Sequence, residues 1–204
     1  MRAIRTFSMT SISVEGVRGG IGTSTFTWAI ARELPKSKLF DISIHQGLAW
    51  VTGYSEADLS WPEYVSQDIL YKELFAKMKQ VEGVSVFSGG SPFDLAVELL
   101  KDTDNIVIDG SARAKFRILH TTNSIRDLKA LEQGNDFDLV VLRKIRGGIP
   151  LSLVSELKID FSYNSENSVH RTISNGYGLH HKSRIQKVAK EICAELSKLS
   201  TISR

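Results

Sequence analysis

Short apolar runs alternate with stretches of helical periodicity along almost the whole chain. β-Branched and apolar runs predict strands over residues 8–15, 38–44, 84–87, 105–109, 116–119, 138–143 and 158–161. Apolar residues spaced three and four apart predict helices over residues 24–34, 48–53, 68–78, 92–100, 124–133, 151–157, 165–174 and 183–199, with a docked loop over 56–64. This alternation predicts one α/β domain spanning residues 1–204, with a doubly wound, mainly parallel sheet.

The last predicted helix is amphipathic. Its apolar stripe comprises Ile185, Val188, Ala189, Ile192, Leu196 and Leu199, and three lysines lie off the stripe. Such a stripe either packs on the sheet or lies in a membrane surface, and we expect packing on the sheet.

A glycine-rich loop follows the first predicted strand. Glycines at positions 16, 19, 20 and 22 precede a predicted helix that begins with hydroxyl residues. Such a loop turns its backbone N–H groups inward, and the helix N-terminus adds a partial positive charge, so the pattern predicts a phosphate site. A standard phosphate loop also carries a lysine before its Ser/Thr, and this chain has Thr23 there, followed by Ser24. A tight strand-to-helix turn without a ligand is the alternative.

Three segments together resemble the MinD/ParA family of ATPases. Arg18–Thr25 (RGGIGTST) resembles the deviant Walker A motif Lys-Gly-Gly-x-Gly-Lys-Thr-Thr/Ser. Asp41-Ile42-Ser43 resembles the family's second strand, Asp-x-Asp, which leads into a Gly-Leu turn, here Gly47-Leu48. Ile106–Asp109 resembles the Walker B strand. The resemblance implies a P-loop NTPase fold that holds ATP and Mg²⁺.

The resemblance also implies roles for individual residues. Ser24 and Asp109 would hold Mg²⁺ directly or through water, and Arg18 would reach across a homodimer formed face to face at the loops. The nucleotide would be held by Arg18, Gly19, Gly20, Ile21, Gly22, Thr23, Ser24, Thr25, Asp41 and Asp109.

Three positions depart from the family pattern. Arg18 replaces the first lysine, Thr23 the second, and Ser43 the second aspartate, which assists hydrolysis in active members. We therefore assign no catalytic residue and expect a degenerate ATPase that binds nucleotide weakly or not at all.

Softer features resemble the CpaE/TadZ-like branch of the family. They are Trp61, a strand over 84–87 with Ser88-Gly89, and Arg146-Gly147-Gly148. This branch implies a localisation or assembly factor whose partners are protein components of a Flp-type pilus or a secretion apparatus.

The distribution of charge along the chain is also compatible with a second function, that of an active partitioning ATPase. Residues 1–109 carry 10 basic and 14 acidic side chains, whereas residues 110–204 carry 16 and 9, so the C-terminal half has a net charge of +7. An active partitioning ATPase would bind DNA or a membrane surface through this half. The single cysteine excludes a four-cysteine cluster within one chain. It fits a cytoplasmic protein, at most peripheral at the inner face of the membrane.

Several other polar or aromatic residues are weaker candidates. The five histidines lack metal-ligand spacing, and we expect them at the surface. Trp50, Tyr54 and Trp61 either form a partner-binding patch or pack into the core or the loop, and we expect packing. Arg143, Lys144 and Arg146 follow a strand at the edge where open α/β sheets bind ligands, and would contact a nucleotide, DNA phosphate or an acidic partner unless they form a solvated loop.

Overall fold

Eight strands form one sheet in the part of the chain that the structure describes. The computed structural model describes residues 10–42, 47–53, 78–88, 105–132, 136–167, 169 and 179–202. Its strands are β1 (Ser11–Gly16), β2 (Lys38–Asp41), β3 (Lys79–Val81), β4 (Val84–Ser88), β5 (Ile106–Asp109), β6 (Phe116–Thr122), β7 (Leu139–Lys144) and β8 (Phe161–Asn164). The order across the sheet is β3-β4-β2-β5-β1-β6-β7-β8, and only β3 runs antiparallel to its neighbour.

Helices cover both faces of this sheet. They are α1 (Thr23–Glu33), α2 (Gly47–Thr52), α3 (Ile125–Glu132) and α4 (Arg184–Ile202), with a 3₁₀ turn at Leu151–Leu153. Buried residues of α1, α2 and α4 share one apolar cluster, and those of α3 belong to a separate cluster. The doubly wound, mainly parallel α/β architecture is thus confirmed. In the described ranges no helix has the length and apolar character needed to cross a bilayer.

The apolar stripe of α4 lies in the core. Five of its six predicted members are buried, and Leu199 is 37% exposed. The helix packs against α1 and β8. Packing on the sheet layer, rather than a free membrane-facing stripe, therefore explains this amphipathic pattern.

Strand register brings the carboxyl ends of β1, β2 and β5 together at one edge of the sheet. β1 lies between β5 and β6, and β5 lies between β1 and β2. Asp41 at the end of β2 is in register with Asp109 at the end of β5, and Val14 of β1 is also paired with Asp109. The chain connections on either side of this point run in opposite directions across the sheet. The connection from β1 runs to β2, towards β3, whereas the connection from β5 runs to β6, towards β8. Open α/β sheets bind ligands at such a switch point.

Two predicted elements after residue 150 were wrong in position or type. The strand predicted over 158–161 lies at Phe161–Asn164. The reason is that Asp160 is bonded to Val140 through its side chain as well as its backbone. Its N–H donates to the Val140 carbonyl, and its carboxylate accepts from the Val140 N–H at 2.7 Å. The helix predicted over 151–157 is a single 3₁₀ turn, since its backbone bonds join residues three apart.

Other boundaries also moved. The strand predicted over 116–119 continues to Thr122 through buried polar residues, and the hairpin strand β3 was missed. β3 turns into β4 at Glu82 and Gly83, both with positive φ. The loop at 56–64, the helix at 92–100, and most of the helices at 68–78 and 165–174 lie outside the described residues.

Candidate functional site

A cavity of about 550 Å³ opens at the carboxyl edge of the sheet. This volume is within the range of small-molecule sites. The glycine-rich loop forms one wall, and α2, the end of β5 and the segment after β8 form the others. Of the predicted site residues, Arg18, Gly19, Gly20, Gly22, Thr23, Ser24, Thr25 and Asp109 line the cavity; Ile21 and Asp41 do not.

The loop backbone is shaped for an anion. Gly20 and Gly22 have φ of 77° and 88°, which glycine adopts without strain. Helix α1 begins directly after Gly22, with no side-chain cap and no acidic residue in its first turn. The first N–H groups of a helix have no intrahelical partner, so those of α1 are available to an anion in the cavity.

Asp109 has an unsatisfied carboxylate oxygen. Thr27 Oγ1 donates to its Oδ1 at 3.1 Å, but its buried Oδ2 has no hydrogen-bond partner among the described residues. Burial, and to a lesser extent the charge of Asp41, raise the pKa of Asp109 to about 7, although the hydroxyls of Ser24 and Thr27 act in the opposite direction. A divalent cation would satisfy this oxygen and stabilise the charged form, so Mg²⁺ fits the site.

Ser24 and Asp41 are held next to Asp109 by the start of α2. Asp41 Oδ2 accepts a hydrogen bond from the Leu48 N–H at 3.0 Å, so this carboxylate positions α2. A Cβ at Gly47 would lie 2.1 Å from Ser24 Oγ, and only glycine permits that approach. The described residues contain no cluster of three or more His, Cys, Asp or Glu that could hold a metal. Mg²⁺ bound by Ser24 and Asp109 would take its further ligands from phosphate oxygens and water.

Thr23 faces a different set of partners. Its hydroxyl lies against Gly16, where a Cβ would come within 2.3 Å of Oγ1, and it shares a hydrogen bond with His120 Nδ1 at 3.3 Å. His120 Nε2 in turn is 2.9 Å from the Tyr163 hydroxyl. The side chain at the lysine position is thus part of a polar chain beneath the loop, Thr23–His120–Tyr163.

The prediction that the histidines lie at the surface was wrong for His120. It is fully buried, and its ring packs against those of Phe26 and Tyr163, with centroid separations of 5.0 and 6.0 Å. Burial and the nearby positive charge of Arg143 lower the pKa of His120 to about 3, so the ring is neutral. No sequence signal marked it, because the apolar run predicts that the strand ends one residue earlier.

Arg18 is paired within its own chain. Its Nε donates to Asp127 Oδ1 at 2.7 Å, and Thr122 Oγ1 donates to Asp127 Oδ2 at 2.5 Å. Although burial acts in the opposite direction, hydrogen bonds from Arg18, Thr122 and Ser124 lower the pKa of Asp127. Arg18 therefore lines the cavity, but in this arrangement it braces the loop against α3.

Arg143 and Trp50 are among the residues beyond the motif that line the cavity. Arg143 reaches it from the end of β7, whereas Lys144 and Arg146 do not. Trp50 on α2 is 64% exposed, so the expectation that it packs into the core or the loop was wrong. Tyr54 and Trp61 lie outside the described residues.

Comparison with known proteins gives structural relatives only. No family model and no curated protein matches the chain. A ParA family ATPase from Chlorobium tepidum TLS superposes with a TM-score of 0.69 at 15% identity, over 94% of this chain and 100% of that one. A plasmid partition protein from Borrelia burgdorferi B31, solved with AMPPNP bound, gives 0.68 at 14%, over 94% and 100%. The MinC:MinD cell division complex of Aquifex aeolicus gives 0.64 at 15%, over 92% and 96%.

These identities establish the fold and nothing finer. The superpositions cover at least 92% of this chain and at least 96% of each compared chain. The chain has the fold of the ParA and MinD P-loop ATPases.

Proposed function

We propose that this chain binds ATP and Mg²⁺ weakly, hydrolyses little or none of it, and acts as a localisation or assembly factor. The observation that carries the proposal is the place of Thr23, whose hydroxyl is bonded to buried His120 where a phosphate loop presents a lysine. Nucleotides bound to similar folds, AMPPNP in the Borrelia protein and ADP in a nucleotide-binding protein from Archaeoglobus fulgidus, support the choice of ligand.

The groups of the family pattern that this chain retains would account for nucleotide binding without hydrolysis. The uncapped start of α1 and the unsatisfied Asp109 Oδ2 suit phosphate and Mg²⁺. A charge-assisted hydrogen bond contributes about 1.5–3 kcal/mol, so loss of the lysine weakens binding by roughly 10- to 150-fold. Turnover suffers more, because the lysine would stabilise charge on the transferred phosphoryl group, and Ser43 replaces the second aspartate of the family pattern.

Partner binding would occur at the loop face. Trp50, exposed on α2 beside the cavity, offers an aromatic anchor of the kind that dominates interfaces. A homodimer formed across the loops would free Arg18 from Asp127 and place it near the partner's nucleotide. The resemblance to the CpaE/TadZ-like branch supports a pilus or secretion apparatus as the machine, and the MinC:MinD complex supports a protein as the kind of partner.

Calorimetric titration with ATP and Mg²⁺, beside a phosphate-release assay, tests the proposal. We expect the wild type to bind without measurable turnover, and Thr23→Lys to bind more tightly, by up to roughly 150-fold. Arg18→Gln should remove ATP-dependent dimers in sedimentation and cost the monomer about 1–3 kcal/mol, because buried Asp127 loses its charged partner.

Two results would contradict the proposal. Rapid phosphate release by the wild type, abolished by Asp109→Asn, would favour the active partitioning ATPase. That alternative also predicts salt-dependent retardation of DNA in gels through the basic C-terminal half.

A further inference from the structure

Arg143 approaches the phosphate loop from the end of β7. Its Nη1 donates to the carbonyl of Ile21 at 2.9 Å, and its Nη2 and Nε donate to Ser165 Oγ at 2.7 and 3.2 Å. All of these acceptors are uncharged. The guanidinium is therefore fixed in place by neutral groups on both sides.

The charge of Arg143 is not neutralised by the described residues. None of the described carboxylates lies within 4 Å of it in an ion pair. Glu166, which lines the same cavity, is engaged by Arg184: both carboxylate oxygens accept from the Arg184 N–H at 3.1 Å, and Arg184 Nε lies 3.3 Å from Oε1. An arginine remains protonated, and a half-buried charge without a counter-charge is unfavourable, so the arrangement favours a bound anion.

Gly22 allows this guanidinium to touch the loop. A Cβ at Gly22 would lie 2.8 Å from Arg143 Nη1. Gly22 immediately precedes Thr23, the position of the missing lysine. A cation therefore lies against the loop one residue from where the lysine would begin, but it is supplied by another strand.

We propose that Arg143 substitutes for the loop lysine and binds the phosphate chain of a nucleoside di- or triphosphate. This inference rests on the proposed nucleotide site and names the group that neutralises the ligand. Arginine can present two N–H donors to one phosphate, so it would restore part of the affinity that Thr23 cannot supply. It does not restore turnover, because its guanidinium is anchored to Ile21 and Ser165 at the side of the loop.

Arg143→Gln tests the inference, with Arg146→Gln as the matched control. Both changes remove one positive charge near the end of β7, but Arg146 is exposed and does not line the cavity. The probes are ATP with Mg²⁺, ADP and inorganic tripolyphosphate, titrated by calorimetry. We expect Arg143→Gln to weaken all three by roughly 10- to 100-fold, and Arg146→Gln to change them by less than about threefold.

A rescue variant separates charge from a structural role. If Arg143 only braces the loop, adding a lysine at position 23 should not help Arg143→Gln. We expect Thr23→Lys to raise affinity more in the Arg143→Gln background than in the wild type, because two cations that serve one phosphate chain are not additive.

The outcomes distinguish this inference from the proposed function. Equal binding by the wild type and Arg143→Gln overturns the inference alone and leaves the nucleotide site in place. An equal gain from Thr23→Lys in both backgrounds also overturns it. Absence of binding to every polyphosphate by the wild type overturns both.

Discussion

The two sides of the phosphate loop differ in whether the protein satisfies its own polar groups. On the side of β2 and β5, Asp109 keeps a buried oxygen without a partner in the described part of the chain, and its pKa is raised. On the side of β6 and β8, Thr23, His120 and Tyr163 satisfy one another in a closed chain. Buried polar groups are almost always paired, so an unpaired carboxylate oxygen on a residue that lines a cavity favours a bound ligand there, whereas a paired set serves the fold.

Under the proposed function, the part of the site that would hold Mg²⁺ keeps an unsatisfied oxygen at Asp109. Thr23, at the position of the loop lysine, is instead bonded to buried His120. Three substitutions test the contrast, one on each side and one at the contact between α1 and α2.

Asp109→Asn should have the largest effect. Removing the carboxylate that would hold Mg²⁺ should weaken Mg²⁺-dependent ATP binding by a factor on the order of 100. Stability should stay unchanged or rise, because the folded protein no longer buries a carboxylate with an unsatisfied oxygen. Calorimetry with and without Mg²⁺, together with urea unfolding, measures both. A variant that loses stability and retains Mg²⁺-dependent binding would show that Asp109 is structural.

Gly47→Ala should have the next largest effect. Without a collision, alanine would favour a helix over glycine by up to about 1 kcal/mol. The new Cβ would instead meet Ser24 Oγ at 2.1 Å and Ser24 Cβ at 2.8 Å, so we expect a loss of about 1–3 kcal/mol in urea unfolding and weaker Mg²⁺-dependent binding.

The double variant Ser24→Gly/Gly47→Ala is the control for this collision. It removes both atoms that the new methyl group meets. Stability should recover, but Mg²⁺-dependent binding should not, because the hydroxyl is gone. A single variant that is as stable as the wild type would show that α2 can move away from the loop at no cost.

The sequence predicts the β2 and β5 side of the site better than the β6 and β8 side. Asp41 and Asp109 end short apolar strands, and parallel strands place their carboxyl ends together, so their proximity follows from the pattern. His120 and Tyr163 lie 43 positions apart, and neither belongs to a motif. Their contact depends on the register of three neighbouring strands, and the predicted boundaries of two of those strands were wrong.

Arg143 shows the same limit. The pattern predicts that it follows a strand at the ligand-binding edge; in the structure it lies inside β7, near the end of that strand, and lines the cavity. Its approach to Gly22 depends on the conformation of the loop and on Ser165 beyond β8. The hydrophobic periodicity predicts at which edge of the sheet a residue lies. It does not predict which neighbouring residues a long, flexible side chain contacts there.

His120 should affect mainly the pH dependence of stability. Its folded pKa is about 3 and its unfolded value about 6.5, so the unfolded chain takes up a proton that the folded one does not as pH falls below 6.5. This lowers stability by up to about 1.4 kcal/mol per pH unit between pH 6.5 and about 3. Asp109 acts oppositely: with its pKa raised from 3.8 to about 7, the folded chain holds the extra proton in most of the same window.

In the wild type, the opposing contributions of His120 and Asp109 to the pH dependence of stability should therefore largely cancel. In Asp109→Asn the opposing contribution is gone, and without Mg²⁺ the urea midpoint should fall steeply from pH 6.5 to 5. Adding His120→Gln should flatten that profile, whatever its effect on stability at pH 7, because the slope reports only the proton difference. An equally steep profile in the double variant would mean that another group titrates, and that the closed polar chain beneath the loop does not hold His120 neutral.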